Sequence, residues 1–535
     1  MQPTTSSLLQ SLPVLLRIRI IPLLLIVMSA TLPVPLNAFG EYQAIFNIEP
    51  EHLARSTLPV PNSTKSFWFT DPDVSPSPKH GSEGPLTEDA DICIIGSGIT
   101  GVSAAYHLAK AFSEGDAVKG LDRPVKAVIL EAREFCSGAT GRNGGHLTSH
   151  VFFEFHHQQS SYGTEEALRS YRIEEYVVNE VKTLLDQEDK LDYVDFVPGG
   201  RLCLAFTERE LLEAKSDFTS AKEAGVDVSN VTWFSKEETQ QKYGAPYPSV
   251  LTPGNNLWPL KLVSVLYNLA NKIGAGNQSS APAFTVDLHT ETPVTSISSL
   301  PQTNNSSELF PRRHSVVTPR GNISCSYVLH ATNAYASHLL PHFTGPDGIV
   351  PTRGQIIATR ANVTEDILTK TGGVGNDGFE YWFPRPLKEP QEYPLVIIGG
   401  GREITKSERF ELYQTDDSVV DEQVGKALRA FLPTVYPGKF EAGKEPEMEW
   451  TGIMGFTKSG DPFVGPVIDP TNPDSPIYRG QYISAGYSGH GMPRAYACAE
   501  AVAKMIVADV RKEKWEPPEW LPRSYLTIGN TSTSS

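Results

Sequence analysis

Three glycines carry the first recognisable chemistry in this sequence. Gly96, Gly98 and Gly101 stand as G-x-G-x-x-G within Asp91–Lys110, DICIIGSGITGVSAAYHLAK. The pattern alone is weak, and its surroundings make it specific. Ile92, Cys93, Ile94 and Ile95 form a continuous apolar run, which predicts a parallel strand buried on both faces. Ile99, Val102, Ala105 and Leu108 recur at helical spacing. Strand, glycine turn and helix in that order form a dinucleotide-binding unit. In such a unit Gly96 permits the tight turn, Gly98 lets backbone approach a pyrophosphate, and Gly101 lets the helix pack close to the strand. The helix N-terminus, with Ile99 and Thr100 leading it, supplies free amides and a positive dipole end to the phosphates. Val125–Leu130 predicts the next parallel strand. Glu131 at its end, followed by Ala132 and Arg133, is placed to accept hydrogen bonds from an adenosine ribose. It falls later than the usual spacing of about 20 residues, and the polar segment Ser113–Pro124 reads as the insertion responsible.

A second glycine-rich stretch, Cys136–Thr148 (CSGATGRNGGHLT), predicts another close backbone approach to a ligand. A third, Gly486-Tyr487-Ser488-Gly489-His490-Gly491-Met492, opens a predicted helix over Pro493–Ala508. Around these sites the chain is large enough for more than one domain, at 535 residues. A formal net charge of -16 argues against a nucleic-acid partner. The five cysteines are odd in number and sparse, which is no disulfide framework. No CxxC or metal-ligand spacing occurs, and His156-His157 reads as a surface pair, so no metal is expected.

Residues 1–38 read as a targeting segment. Arg17 and Arg19 precede an apolar run, Ile20–Val27, broken by Pro22, and small residues follow at Ser29–Ala30 and at Ala38. This pattern predicts a secretory signal peptide. The run is short for a stable membrane span. No acid precedes Glu41, so a mitochondrial presequence and an uncleaved anchor stand as alternatives. N-x-[ST] sequons at Asn62, Asn230, Asn277, Asn304, Asn305, Asn322, Asn362 and Asn530 favour a secreted glycoprotein. Residues 39–87 read as an arm that docks through Phe67, Trp68 and Phe69.

Further motifs recur in a fixed order. They are Ala331-Thr332-Asn333-Ala334, Pro351-Thr352-Arg353-Gly354-Gln355, Tyr381-Trp382-Phe383-Pro384, Ile397–Gly401, Trp450-Thr451-Gly452 and Asp461-Pro462-Phe463-Val464-Gly465. With the glycine unit they resemble the D-amino-acid oxidase superfamily of FAD-dependent oxidoreductases. The W-x-G…P-x-x-G version most resembles the γ-glutamylputrescine oxidoreductase branch. The resemblance implies an α/β fold: a Rossmann-like FAD-binding domain with a second, antiparallel-sheet substrate domain. Residues 88–198, 256–345 and 446–512 form the first, 199–255 and 346–445 the second, and 513–535 a tail. Asn333 replaces the glycine usual at its position and suits a positive φ.

The resemblance implies that FAD is held by Gly96, Gly98, Ile99, Thr100, Gly101, Glu131, Ala132, Arg133, Thr140, Arg142, Asn143, Gly144, Gly145, Thr332, Asn333, Gly486, Gly489, His490, Gly491 and Met492. Some relatives bind flavin covalently through a cysteine just before the D-x-P region. Gly452–Phe456 has none, so the flavin is expected to be non-covalent. Amino-acid oxidases of the family often place an arginine near Met454 to hold the substrate carboxylate, and none is present. His490 and Arg353 are the candidate catalytic side chains. The expected reaction is oxidation of a C–N bond in a small amine by hydride transfer to flavin N5, followed by imine hydrolysis. Molecular oxygen or another acceptor would reoxidise the flavin. An amino-acid or C–OH oxidising enzyme is the alternative within the family, and a flavin-binding protein without turnover is the alternative outside enzymes.

Overall fold

Asp89–Ile95 becomes a strand because every residue after Asp89 is buried and most are apolar. It lies at the centre of a sheet ordered Phe463–Pro466, Gln481–Ala485, Gly321–His330, Asp89–Ile95, Val125–Leu130 and Phe284–His289. All of these neighbours pair in parallel except Phe463–Pro466, which runs antiparallel to Gln481–Ala485. In the computed structural model the described residues are 31–46, 53–113, 121, 123–276, 283–301, 309–389, 392–473 and 475–528. The apolar leader run, most of the Ser113–Pro124 insertion and the sequons at Asn277, Asn304, Asn305 and Asn530 lie outside them.

Helices Ile99–Ser113, Pro259–Ala275 and Ala495–Arg511 share one apolar core with the sheet, in which Ile92, Ile94, Val102, Leu266 and Val502 are buried. Val316, Ile323 and Val328 bury against Cys93 and Val128 in a separate core, so the strand Asp89–Ile95 is covered on both sides, as its unbroken apolar run requires. The final helix begins at Ala495 rather than Pro493, because a turn over His490–Arg494 precedes it.

The second sheet runs Met448–Phe456, Val350–Arg360, Leu395–Gly400, Glu380–Pro384, Gly372–Gly375, Arg201–Leu204, Ser249–Thr252 and Thr232–Phe234. Its pairings are antiparallel apart from Gly372–Gly375 with Arg201–Leu204. Helix Glu422–Val435 packs Leu428, Phe431 and Leu432 against Ile357, Val396 and Ile398. Here the structure differs from the expected boundary at 446. Met448–Phe456 is hydrogen-bonded into this second sheet from Val350↔Phe456 to Ala358↔Met448. A strand shared along its whole length with Val350–Arg360 cannot be assigned to the other lobe by a motif that sits partway along it.

The amino-terminal arm is built into the body. Trp68 is fully buried, and its indole N–H donates to the Asn143 carbonyl at 2.7 Å. Residues 32–38, expected to belong to the leader, also pack onto the protein. Val34 and Ala38 are buried, and the Pro35 carbonyl accepts a 3.2 Å hydrogen bond from Asn376. Helix Phe39–Phe46 buries Tyr42 and Phe46 against Phe379 and Phe410. No helix of the described residues is long and apolar enough to cross a membrane.

Candidate cofactor and substrate site

One cavity of about 1450 Å³ runs between the two sheets. At one end lie Gly96, Gly98, Ile99, Thr100, Glu131, Ala132 and Arg133, and Thr332 and Asn333 join them along the wall. Thr140, Arg142, Asn143 and Gly144 line its middle, and Tyr381, Met454, Gly489, His490, Gly491 and Met492 line the other end.

The glycines divide into two kinds. Gly96 has φ +108°, and a Cβ there would meet the Ala331 carbonyl oxygen at 2.6 Å, so the turn tolerates no side chain. Gly98 faces the cavity with the Thr140 hydroxyl 3.1 Å from where its Cβ would stand. The others pack rather than face a ligand. A Cβ on Gly101 would meet the Gly96 carbonyl oxygen at 2.0 Å, which makes this glycine the helix-to-strand contact. Gly145 abuts the Leu257 carbonyl and the Trp68 ring, and Gly486 abuts Thr457 and Ile349. Gly101, Gly145 and Gly486 therefore shape the site from behind instead of contacting a cofactor.

Glu131 lines the cavity at the end of the strand Val125–Leu130. One carboxylate oxygen accepts from the Ser97 amide at 2.9 Å and hydroxyl at 2.8 Å, and the other accepts from the Arg133 amide at 3.0 Å. Each oxygen has more than one acceptor direction, so protein donors orient the group without exhausting it. Asn333 has φ 43°, the conformation expected of a residue replacing glycine. Its amide oxygen accepts from the Gly486 amide at 3.0 Å, which ties the Ala331–Ala334 turn to the third glycine segment.

Arg133 and Arg142 line the cavity by position, but their guanidinium groups turn inward. Arg133 Nη1 reaches Asp417 at 2.8 and 3.1 Å. Arg142 Nε lies 3.4 Å from the same carboxylate and donates to the Ser137 carbonyl at 2.9 Å. Its other nitrogens reach the Thr451 carbonyl at 2.8 Å, the Thr64 carbonyl at 2.7 Å and the Ser63 hydroxyl. Burial works against both charges. At Arg133 the Asp417 carboxylate outweighs it and the pKa rises, whereas Arg142 falls to about 10. These arginines fix the glycine-rich wall and are not free to grip a phosphate.

Arg353 is corrected more sharply. Its Nε binds Glu411 at 2.5 Å and its Nη1 binds the Asp416 carbonyl at 3.2 Å. It is absent from the cavity wall, where Gly354 and Ile356 appear instead. Alternation along the strand Val350–Arg360 sends residue 353 to the face opposite 354 and 356.

His490 does reach the cavity. Its ring stacks on His150, centroids 3.9 Å apart and planes 5° from parallel. Its Nε2 lies 3.2 Å from Glu174, too sharply angled for a hydrogen bond, and has no other partner. Glu174 is fixed by the Arg494 Nε at 2.8 Å and the His150 amide at 2.8 Å. Ligand atoms of His150, Glu174 and His490 lie within 4.8 Å of one another. Parallel rings, however, aim their nitrogens side by side and not at one point. Burial lowers His490 below its usual 6.5 and takes His150 to about 3, so both imidazoles are neutral at pH 7. Burial alone would raise Glu174, but the nearby His490, His150 and Arg494 outweigh it and hold it well below the usual range. With both rings neutral, Arg494 is the standing cation.

Further residues complete the wall, beginning with the first of the Tyr381–Pro384 motif. The Tyr381 ring occupies the space that side chains at Gly144 and Gly399 would need, 2.5 and 2.4 Å from their Cβ positions. Burial pushes its phenol up to about 12. Arg201 and Arg402 also line the cavity, as do Phe39 and Tyr42 of the arm. His156 and His157, the expected surface pair, are exposed at its rim.

A dinucleotide cradle joined to a sheet-walled chamber defines a two-domain flavoprotein. The chain belongs to the FAD-dependent oxidoreductase family, whose model matches residues 91–505, and it is an FAD enzyme. It is 25% identical over 433 residues to γ-glutamylputrescine oxidoreductase of Escherichia coli (strain K12), covering 79% of this chain and 84% of that one. Its fold is similar to glycine oxidase from Geobacillus kaustophilus, with TM-score 0.57 and 19% identity over 82% of this chain and 98% of that one. It is equally similar to L-proline dehydrogenase from P. horikoshii, with TM-score 0.57, 19% identity and the same 82% and 98% coverage. The residues present fit FAD: the glycine turn leaves room for backbone approach, and Glu131 is preset for the ribose.

Three outcomes are expected. Gly98→Val should fold yet purify without yellow colour, because its branches enter the space kept for the pyrophosphate; a yellow variant would refute the cradle. Acid precipitation of the wild type should leave FAD in the supernatant, since Cys203 alone of the five cysteines lines the cavity, on the second-sheet side. Asp417→Asn should destabilise the protein by about 3–5 kcal/mol, the cost of leaving a buried charge uncompensated. Denaturant unfolding checks this, and a loss under about 1 kcal/mol would show that the ion cluster is incidental.

Proposed function

We propose that the protein oxidises the C–N bond of a small amine, with molecular oxygen or another acceptor completing the cycle. The observation that carries this reading is the continuity of the cavity from the Gly96–Thr100 turn to the chamber bounded by Tyr381, Met454 and His490. The Gly96–Thr100 turn and Thr140–Gly144 would hold FAD along this cavity, leaving the chamber at the second sheet for a substrate. The substrates named for the three relatives above all carry an amine nitrogen. When bound, FAD supplies the acceptor for a hydride from the carbon beside that nitrogen.

The chain's own residues set the conditions. His490 turns its Nε2 towards Glu174, 3.2 Å away, and is neutral at pH 7, so its ring meets the chamber without adding a positive charge that would repel an amine. Glu174, held by Arg494, fixes the depth of that imidazole pair. The turn over His490–Arg494 precedes the helix Ala495–Arg511, whose positive end favours negative charge developing nearby. Tyr381, Met454 and Ile356 wall the chamber and limit water.

A panel of primary and secondary amines, mixed anaerobically with the holoenzyme, should bleach the flavin with at least one member. No bleaching by any amine or amino acid would leave a flavin-binding protein without turnover. His490→Ala should slow reduction without releasing FAD. Because the folded pKa is lowered, the His490 inflection in the rate–pH profile should lie below about pH 6.5. An inflection near pH 8 that vanishes in the variant would contradict the neutral-imidazole role.

We also propose that the protein enters the secretory pathway. The sequons at Asn62, Asn230, Asn322 and Asn362 are all exposed, which supports this reading. The packing of Val34 and Ala38 favours leader cleavage near Ala30 over cleavage at Ala38, which would strip buried residues from the body. N-glycosidase should increase gel mobility, and amino-terminal sequencing should begin near Thr31. An unshifted protein recovered with mitochondria would favour the presequence instead.

A further inference from the structure

The amino-terminal segment 32–46 precedes residues 91–505, the part of the chain that the family model matches, yet it builds part of the cavity. Asn37, Phe39, Tyr42 and Phe46 line it together with Phe379 and Phe456 of the second domain. The helix Phe39–Phe46 has eight residues, too few to be stable alone in water. Its order comes from the surface beneath it. The Tyr42 ring meets Phe379, Phe410 and Phe456 edge to face, with centroids 6.0, 5.6 and 6.1 Å away. The Arg402 guanidinium carbon lies 4.4 Å from the centre of the same ring, a cation–π contact. Before the helix, Asn376 donates to the Pro35 carbonyl at 3.2 Å and Arg209 Nε donates to Asn37 Oδ1 at 2.9 Å. Glu41 and Lys406 add an exposed pair at 3.3 Å, which contributes little.

This helix packs at the substrate end. Phe456 contacts Tyr42, and its ring also lies 3.4 Å from the Cβ position of Gly489, the residue before His490. Other wall residues there, Gly354, Ile356 and Met454, stand on strands fixed by a ladder of backbone hydrogen bonds. Tyr42 and Phe46 reach the cavity from a helix held by ring packing instead. An aromatic side chain has two rotatable bonds, so it cannot fold back from a longer ligand as a methionine can. The rings stay in place or the helix leaves with them.

We infer that the helix Phe39–Phe46 is a wall of the substrate chamber, and that Tyr42 and Phe46 limit the length of the carbon chain an amine substrate can carry. The inference rests on the C–N reading above and assigns its size selection to a segment outside the matched region. A chain that outgrows the space before the two rings meets a side chain that cannot yield, and its transition state loses the packing that shorter amines keep.

The test uses the full-length holoenzyme and the straight-chain primary amines from propylamine to octylamine, with anaerobic flavin reduction as the readout. The wild-type rate per unit of amine should fall by about 10–200-fold at the first chain length that meets the wall. Tyr42→Ala and Phe46→Ala should move that break to a longer amine, and Tyr42→Phe, which keeps the ring, should retain it. Leu412→Ala loosens the same aromatic core without lining the cavity, so it too should retain the break. Yellow colour in each variant shows that the body is folded; Tyr42→Leu and Phe46→Leu, milder truncations, replace any variant that loses it. A break unmoved by both truncations would overturn the inference, as would an equal shift in Leu412→Ala. If no amine bleaches the flavin, the C–N reading fails, and acrylamide quenching of the flavin fluorescence decides the wall separately. Quenching should rise in Tyr42→Ala above both the wild type and Leu412→Ala, and no rise would overturn the inference.

Discussion

The structure depends on one buried carboxylate. Asp417 is fully buried between Arg133, just past the strand Val125–Leu130, and Arg142, from the glycine-rich wall. Three charges removed from water cost several kcal/mol each, and their mutual attraction offsets this only when the remaining hydrogen bonds are made. They largely are. The Asp417 carbonyl accepts from the Thr64 amide, Arg133 donates to the Val60 and Ser137 carbonyls, and Arg142 donates to Ser137, Thr451 and Thr64. The cluster thus joins the arm, both domains and the loop before the helix Glu422–Val435. Three indole N–H groups finish the clamp: Trp68 donates to Asn143, Trp450 to Arg142 and Trp258 to Trp68. The cavity wall is rigid because its backbone carbonyls are held from behind, which leaves the front free for a ligand.

That arrangement gives the W-x-G motif a physical reason. Trp450 holds the Arg142 carbonyl, the Thr451 carbonyl receives the Arg142 guanidinium, and Gly452 yields the space, since a Cβ there would meet the Arg142 Cβ at 2.9 Å. Three consecutive residues of the second sheet therefore seat one residue of the first domain. The strand belongs to one domain by its hydrogen bonds and to the other by its function, and this is why a boundary drawn from motifs alone falls in the wrong place.

What the sequence made legible is what local periodicity and backbone sterics determine. The first strand, the glycine turn, its helix, Val125–Leu130 and the positive φ of Asn333 all follow from residue type and spacing. Arg353 is subject to the same local rule. Strand parity puts it opposite Gly354 and Ile356, and a two-residue period could have excluded it. Asp417 and Arg402 are different. Each lies in an irregular segment, and its role is set by partners distant in the chain: Asp417 by Arg133, and Arg402 by Tyr42. No local pattern encodes such a meeting. The one sequence hint at Arg402 is its place just after Gly399-Gly400-Gly401, where the chain leaves the sheet at the cavity wall.

The charge pattern inside the cavity also could not follow from composition. The chain carries a formal net charge of -16, which suggests a surface that repels acids. Yet the two cavity arginines without carboxylates, Arg201 and Arg402, both stand in the second domain, where the substrate must enter. The histidines at His146, His150 and His490 are held neutral by burial. Field lines from an unpaired cation weaken little in a walled, low-dielectric cleft, whereas the surface acids are screened within about 8 Å by physiological salt. The selection of a substrate falls to a few unpaired groups near the reacting end and not to the protein's overall charge.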